Sequence, residues 1–160
     1  MGDHDYALLE RRIQKIEDIQ AIKDLKARYA NACDDFYNPE KMGEIFTEDA
    51  VWDGGENFGR YEGRAAIKQF FADVSKDIEF AMHYFVQPRI ELSEDGATAE
   101  AVWYLWQAST LKGNKAVWLS GFEYDKYRKD DGRWWKTEMK LEILFLTPYE
   151  EGWHKVKIIK

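Results

Sequence analysis

The sequence predicts an α+β fold, a cone-shaped barrel in which three N-terminal helices pack on a strongly curved antiparallel sheet. Two periodicities and one bias in composition lead there. In the first half of the 160-residue chain, apolar residues recur every three or four positions, the period of a helix; in the second half they recur every second position, the period of a strand. Aromatic residues make up 16% of the sequence, more than one core of this size needs, which suggests rings lining a ligand cavity as readily as rings filling a core.

The first helix is predicted from Tyr6 to about Ala32, with Leu9, Ile13, Ile16, Ile19, Ile22, Leu25 and Tyr29 on one stripe. Arg11, Arg12, Lys15, Glu17, Asp18, Lys23 and Lys26 form its opposite, solvated face. Asp34-Asp35 and Asn38-Pro39 end it, because Asp and Asn compete for backbone hydrogen bonds and Pro restricts its predecessor. A short helix follows from Pro39 to Phe46, then a strand from Glu48 to Asp53 and a turn at Gly54-Gly55. Ile67, Phe70, Phe71 and Val74 place a third helix over Arg64 to Val74. Four long strands, near 79–92, 97–111, 115–128 and 133–146, come last. Glu94-Asp95-Gly96, Lys112-Gly113-Asn114 and Asp130-Asp131-Gly132 separate them as hairpin turns, and strands of such length favour a curved sheet with a cavity beneath it.

The length fits one domain spanning 1–160. A net charge of −7 with interspersed charges argues against nucleic acid as a partner, since phosphates are bound by clustered Lys and Arg. No run approaches the ~18 apolar residues of a membrane span, and the opening MGDHDYALLE lacks the basic and apolar regions of a secretory signal. The expected location is cytoplasmic. The lone Cys33 excludes an internal disulfide and a cysteine-based zinc site. His4 and His154, near the chain ends, suggest no metal triad with His83.

His83 is the candidate for chemistry. It lies in the apolar strand Ala81-Met82-His83-Tyr84-Phe85, and imidazole titrates nearest neutrality, so it can take a proton at pH 7. The alternative is a core histidine bonded to a carbonyl. Tyr29, four residues after Leu25, points its hydroxyl toward the interior or a cavity, and a phenol there can donate to a developing oxyanion. Trp52, Phe71, Trp103, Trp118 and Phe122 are the cavity-lining candidates, each with core packing as its alternative. In the last strand Lys136, Glu138, Lys140 and Glu142 alternate with Trp135, Thr137, Met139 and Leu141. The charges face either water or the cavity, and Glu138 or Lys140 in the cavity would be a further acid/base candidate. Arg64, opening the third helix, reads as a surface cap.

The segments IQAIKDLKARYANACDD, MGEIFTEDAVWD with GRYEGRAAIKQFF, AMHYFVQPRIEL and GFEYDKYRKDDGRWWKTE resemble the SnoaL-like branch of the nuclear-transport-factor-2-like superfamily, from about Ile19 to Leu146. That resemblance implies a cofactor-free fold whose members include dehydratases, isomerases, a dehydrochlorinase, polyketide cyclases and non-enzymatic binding modules. It implies a catalytic His at His83, oriented by a carboxylate at Asp34, while Asp35 serves the helix end. Tyr29 matches a catalytic Tyr of the bile-acid dehydratases. Two departures stand out. Gln107 occupies the place of an Asp in those dehydratases; it cannot act as a base but can orient a substrate oxygen. The dehydrochlorinase carries a Lys at Tyr29 and a basic residue near Glu138. The resemblance also implies that the outer sheet face pairs with another subunit, as a homodimer or homotrimer.

The expected activity is that of a cofactor-independent lyase or isomerase, acting by His general acid/base catalysis on a hydrophobic aromatic or polycyclic hydroxylated small molecule, as in aromatic-compound breakdown. A non-catalytic small-molecule binding module and a polyketide-cyclase-like aldol catalyst are the alternatives. No cofactor and no metal are implied.

Overall fold

The structure is a computed structural model that describes residues 3–159, with the side chains of Asp3 and His4 outside that description; the reading of His4 therefore falls outside the described residues. Among the described residues four helices and six strands follow one another: α1 (Asp3–Asp34), α2 (Pro39–Gly43), β1 (Phe46–Asp53), α3 (Gly55–Phe58), β2 (Arg60–Glu62), α4 (Arg64–Val74), β3 (Ile78–Leu92), β4 (Thr98–Leu111), β5 (Lys115–Asp130) and β6 (Arg133–Pro148).

The strands form one sheet in the order β2-β1-β6-β5-β4-β3. β3 to β6 are the expected antiparallel meander, but β1 lies parallel to β6, so the sheet is mixed and does not close on itself. The Gly54-Gly55 turn contains a helical turn, α3, that leads into the short strand β2. α1 packs on β3, and α4 on β1, so both cover the same face. The core between the layers is built from Ile22, Leu25 and Tyr29 of α1, Ile67 and Phe71 of α4, and inward residues of the strands such as Leu105, Leu119 and Met139.

Two features of α1 differ from its helical-wheel reading. Its first half carries the apolar stripe beyond the sheet: Leu9, Ile13 and Ile16 are 37%, 55% and 68% exposed, and continuous contact with the core begins only near Asp18. Asp18 and Lys26, assigned to the solvated face, are buried. Asp18 accepts hydrogen bonds from Lys129 Nζ at 2.6 Å and Trp134 Nε1 at 2.8 Å, and Lys26 meets the acids of β5 described below. Specific partners on the sheet override the wheel, because a charge can be buried when it is paired.

Two β-bulges set which side chains reach the interior. Tyr127 pairs with Lys136 and Lys126 with Glu138, which leaves Thr137 as an extra residue in β6. The inward set therefore runs Trp134, Lys136, then Met139 and Leu141. At the second bulge Leu144 is extra, and Gly121 of β5 lies so near the partner strand that an added Cβ would sit 2.0 Å from Glu142 O. No described helix is long and apolar enough to cross a membrane.

Candidate active site

Asp34 is the last residue of α1. Beyond it the chain reverses through Phe36 and Tyr37, both at φ +52°. Tyr37 N–H returns to Cys33 O at 3.0 Å and Asn38 N–H to Ala32 O at 2.9 Å, which closes off the helix's last free carbonyls. The left-handed position of such a cap is usually glycine, and a residue with a Cβ there costs about 1–3 kcal/mol. The conformation places the Tyr37 ring beneath β3. Its hydroxyl is 3.4 Å from His83 Nε2 and accepts from Gln107 Nε2 at 3.3 Å, while the ring stacks on Phe71.

His83 is held from its other side. Asp34 Oδ1 lies 2.7 Å from His83 Nδ1 and also accepts the His83 backbone N–H at 2.9 Å. An ionised carboxylate only accepts, so Nδ1 must carry a proton, and in the neutral ring Nε2 is then the basic nitrogen. His83 pairs with Gln107 across β3 and β4, and both face the interior; Gln107 also donates to Ser109 Oγ at 2.7 Å. Asp35 does not join this group, but bonds Asn38 Nδ2 and Lys41 at 2.9 Å each; the Lys41 contact and the Asn38 amide hold its carboxyl below the usual carboxylate range.

These groups open on a cavity lined among others by Tyr29, Tyr37, Trp52, Phe58, Phe70, Phe71, His83, Gln107, Leu119 and Glu123. Tyr29 is buried, with its hydroxyl accepting from Trp52 Nε1 at 3.1 Å, which leaves its own proton available to another acceptor. Burial, with the Glu123 charge, pushes the Tyr29 phenol well above the ordinary tyrosine range. Burial does the same for Tyr37, with the Cys33 charge reinforcing it. Both are therefore proton-bearing donors at neutral pH, not phenolates.

Behind Tyr29 lies a buried quartet that sequence reasoning missed. Glu123 and Asp125 point inward from β5, Lys26 from α1 and Lys136 from β6. Lys26 Nζ hydrogen-bonds Glu123 Oε2 and, at 2.9 Å, Asp125 Oδ2; Lys136 Nζ is 3.0 Å from Asp125 Oδ1 and 4.0 Å from Glu123 Oε2. Burial works to lower the Lys26 pKa, but the charges of Asp125 and Glu123 outweigh it and hold it above the usual lysine value. For Lys136 burial wins and lowers the pKa to about 8. Burial would raise Asp125, yet Lys136 and Lys26 hold its carboxyl below the usual range. A legible signal existed for the acids: period two puts Glu123 and Asp125 on the face of Val117 and Leu119. None existed for Lys136, which the Thr137 bulge turns inward.

Of the residues singled out from sequence, the fold gathers His83, Asp34, Tyr29, Gln107, Trp52 and Phe71 around the cavity. Five others lie outside it: three of the cavity-lining candidates, and the two charged residues of β6 for which both water and the cavity were open. Trp118 and Phe122 project from the outer face of β5, against Trp106 and Tyr104, because the inward positions are the odd-numbered ones. Glu138 and Lys140 lie on the outer face of β6, where Glu138 meets Lys126 at 3.0 Å, since the bulge shifts their phase against Lys136. Trp103 is buried, with Lys26 Nζ 5.4 Å from its ring centre, and lines a separate groove between α1 and β3. Arg64 Nε donates to Phe46 O at 2.7 Å, tying α4 to β1. Among the described residues no three His, Cys, Asp or Glu side chains are grouped to hold a metal ion.

Helices covering one face of a mixed sheet, with a cavity between the layers, are the architecture of small pocket proteins with the nuclear-transport-factor-2-like fold. The chain belongs to the SnoaL-like domain family, whose model matches residues 14–140. A protein of Novosphingobium aromaticivorans provisionally named an aromatic ring hydroxylase is 30% identical, with a TM-score of 0.77 over 83% of this chain and 94% of that one. The hexachlorocyclohexane dehydrochlorinase of Novosphingobium barchaimii is 19% identical, with a TM-score of 0.78 over 86% and 93%. A nuclear-transport-factor-2-like protein of Salmonella enterica is 15% identical, with a TM-score of 0.73 over 81% and 92%. The last two likenesses are of fold alone.

Proposed function

We propose that the protein is a cofactor-independent lyase or isomerase that uses His83 as a general base on a hydrophobic aromatic or polycyclic hydroxylated small molecule. The observation that carries this reading is the pair of hydrogen bonds that the His83 backbone N–H and ring Nδ1–H donate to Asp34 Oδ1, which fixes the ring and leaves Nε2 as its basic nitrogen, next to Tyr37. The aromatic wall of the cavity supports the ligand class.

In the elimination, His83 Nε2 takes a proton from carbon, and Asp34 stabilises the imidazolium that forms. The electrons of the C–H bond become a double bond as the neighbouring C–O bond breaks. The departing oxygen accepts hydrogen bonds from the Tyr29 or Tyr37 hydroxyl and takes the imidazolium proton, so water leaves and His83 returns to its starting state. Isomerisation would begin with the same proton transfer and return the proton to a different carbon. Trp52, Phe70 and Phe71 hold the ring, and Gln107, whose two amide hydrogens go to Tyr37 and Ser109, accepts a substrate hydroxyl at its Oε1.

The test is a panel of hydroxylated one- and two-ring compounds incubated with the full chain in D₂O, followed by NMR for loss of water or for deuterium on carbon. The expected result is turnover by the wild type and none by a folded His83→Ala variant. Turnover retained by His83→Ala would overturn the assignment.

A further inference from the structure

The buried quartet has a property that the elimination chemistry does not use. Both lysines address the same oxygen of Glu123: Lys26 hydrogen-bonds Oε2, and Lys136 lies 4.0 Å from it. Oε1 is engaged by neither, and Glu123 lines the cavity although its side chain is only 4% exposed. Two lysines and two carboxylates cancel, so the site presents an acceptor without net charge to attract a cation. An incoming anion would meet the lone pairs of Oε1, and an apolar group would leave them unsatisfied.

The register places this acceptor away from His83. His83 pairs with Gln107, Gln107 pairs with Leu119, and Glu123 is four residues further along β5. That separates the two backbones by two strand spacings, about 10 Å, and by about 13 Å along the strand. Their side chains converge on one cavity from these distant points.

We infer that Glu123 is the specificity-determining residue of the cavity, selecting ligands with a neutral hydroxyl donor at the end remote from His83. This inference rests on the proposed reading of the cavity as the ligand site. The preferred ligand is then a phenol or alcohol in which one hydroxyl is read by Glu123 while the reacting carbon lies at His83. Carboxylate-bearing and hydroxyl-free analogues are disfavoured.

Equilibrium binding to the full chain, read by calorimetry, tests this with three probes of one skeleton: 2-naphthol, 2-fluoronaphthalene and 2-naphthoate. The wild type is expected to bind 2-naphthol at least about tenfold more tightly than 2-fluoronaphthalene, the lower end for a hydrogen bond to a charged group, and 2-naphthoate most weakly. Glu123→Leu, which leaves Lys26 paired with Asp125, should bring the naphthol preference to within about threefold without weakening 2-fluoronaphthalene, while His83→Ala keeps the preference. Equal binding of naphthol and the fluoro analogue by the wild type overturns the inference without use of a variant and leaves the cavity reading intact. Loss of the preference in His83→Ala but not in Glu123→Leu also overturns it, by moving the recognised hydroxyl to the His83 end. If none of the probes binds, the cavity reading fails and the inference with it.

Discussion

Asp34 Oδ1 accepts two hydrogen bonds from one residue, His83: from ring Nδ1 at 2.7 Å and from the backbone N–H at 2.9 Å. One oxygen at the end of α1 therefore fixes both the position of β3 and the tautomer of the ring it carries. In Asp34→Asn the amide oxygen can still accept the backbone N–H, but the charge that stabilises an imidazolium is gone. Turnover is expected to fall about 10²- to 10⁴-fold with little change in melting temperature, read by steady-state kinetics beside circular dichroism. Undiminished turnover would show that the pair is structural.

Tyr37, like Glu123, is a residue of this site that the sequence concealed. Tyr37→Phe removes the hydroxyl 3.4 Å from His83 Nε2 and leaves the ring stacked on Phe71. The expected result is about a tenfold loss in kcat and about 1 kcal/mol of stability, the usual scale for one hydrogen bond, measured by kinetics and urea titration.

Lys26→Met leaves Glu123 and Asp125 buried with only Lys136 for compensation. It is expected to destabilise the fold by about 3–5 kcal/mol, and the double variant Lys26→Met, Glu123→Leu to recover much of that because its charges balance again. Chemical denaturation of the two variants side by side decides it; additive losses would show that the pair is not coupled.

Lys136 gives stability a particular dependence on pH. Its folded pKa is about 8, against an ordinary value of 10.5, so between these limits the unfolded chain binds more protons than the folded one. Stability then rises with pH across that window, by about 2 kcal/mol from pH 8 to pH 10 relative to Lys136→Met, which lacks the titrating group. Urea midpoints of both proteins at the two pH values read the difference.

Gly121→Ala should destabilise by about 3 kcal/mol or more, because the added methyl would sit 2.0 Å from Glu142 O, a backbone atom that cannot turn aside. A thermal melt checks it, and a loss below 1 kcal/mol would show that the bulge can relax.

The α+β class, the boundaries of α1 and α4, the four long strands and the family were legible in the sequence, because periodicity and turn residues are local signals that survive without knowledge of the fold. His83, Asp34 and Tyr29 were legible as candidates because their chemistry and motif positions are also local. The tertiary structure decided the rest. It made β1 parallel to β6, a pairing with no local signature, and it turned Lys136 inward through a one-residue bulge at Thr137 while sending Glu138 and Lys140 outward. It brought Tyr37 to His83 through a left-handed helix end that no glycine announces, and it drew Lys26 off its solvated stripe to two carboxylates 97 and 99 residues away. The physical reason is the same in each case: a side chain's direction is set by strand phase and by the partners it meets, and both depend on segments distant in the chain.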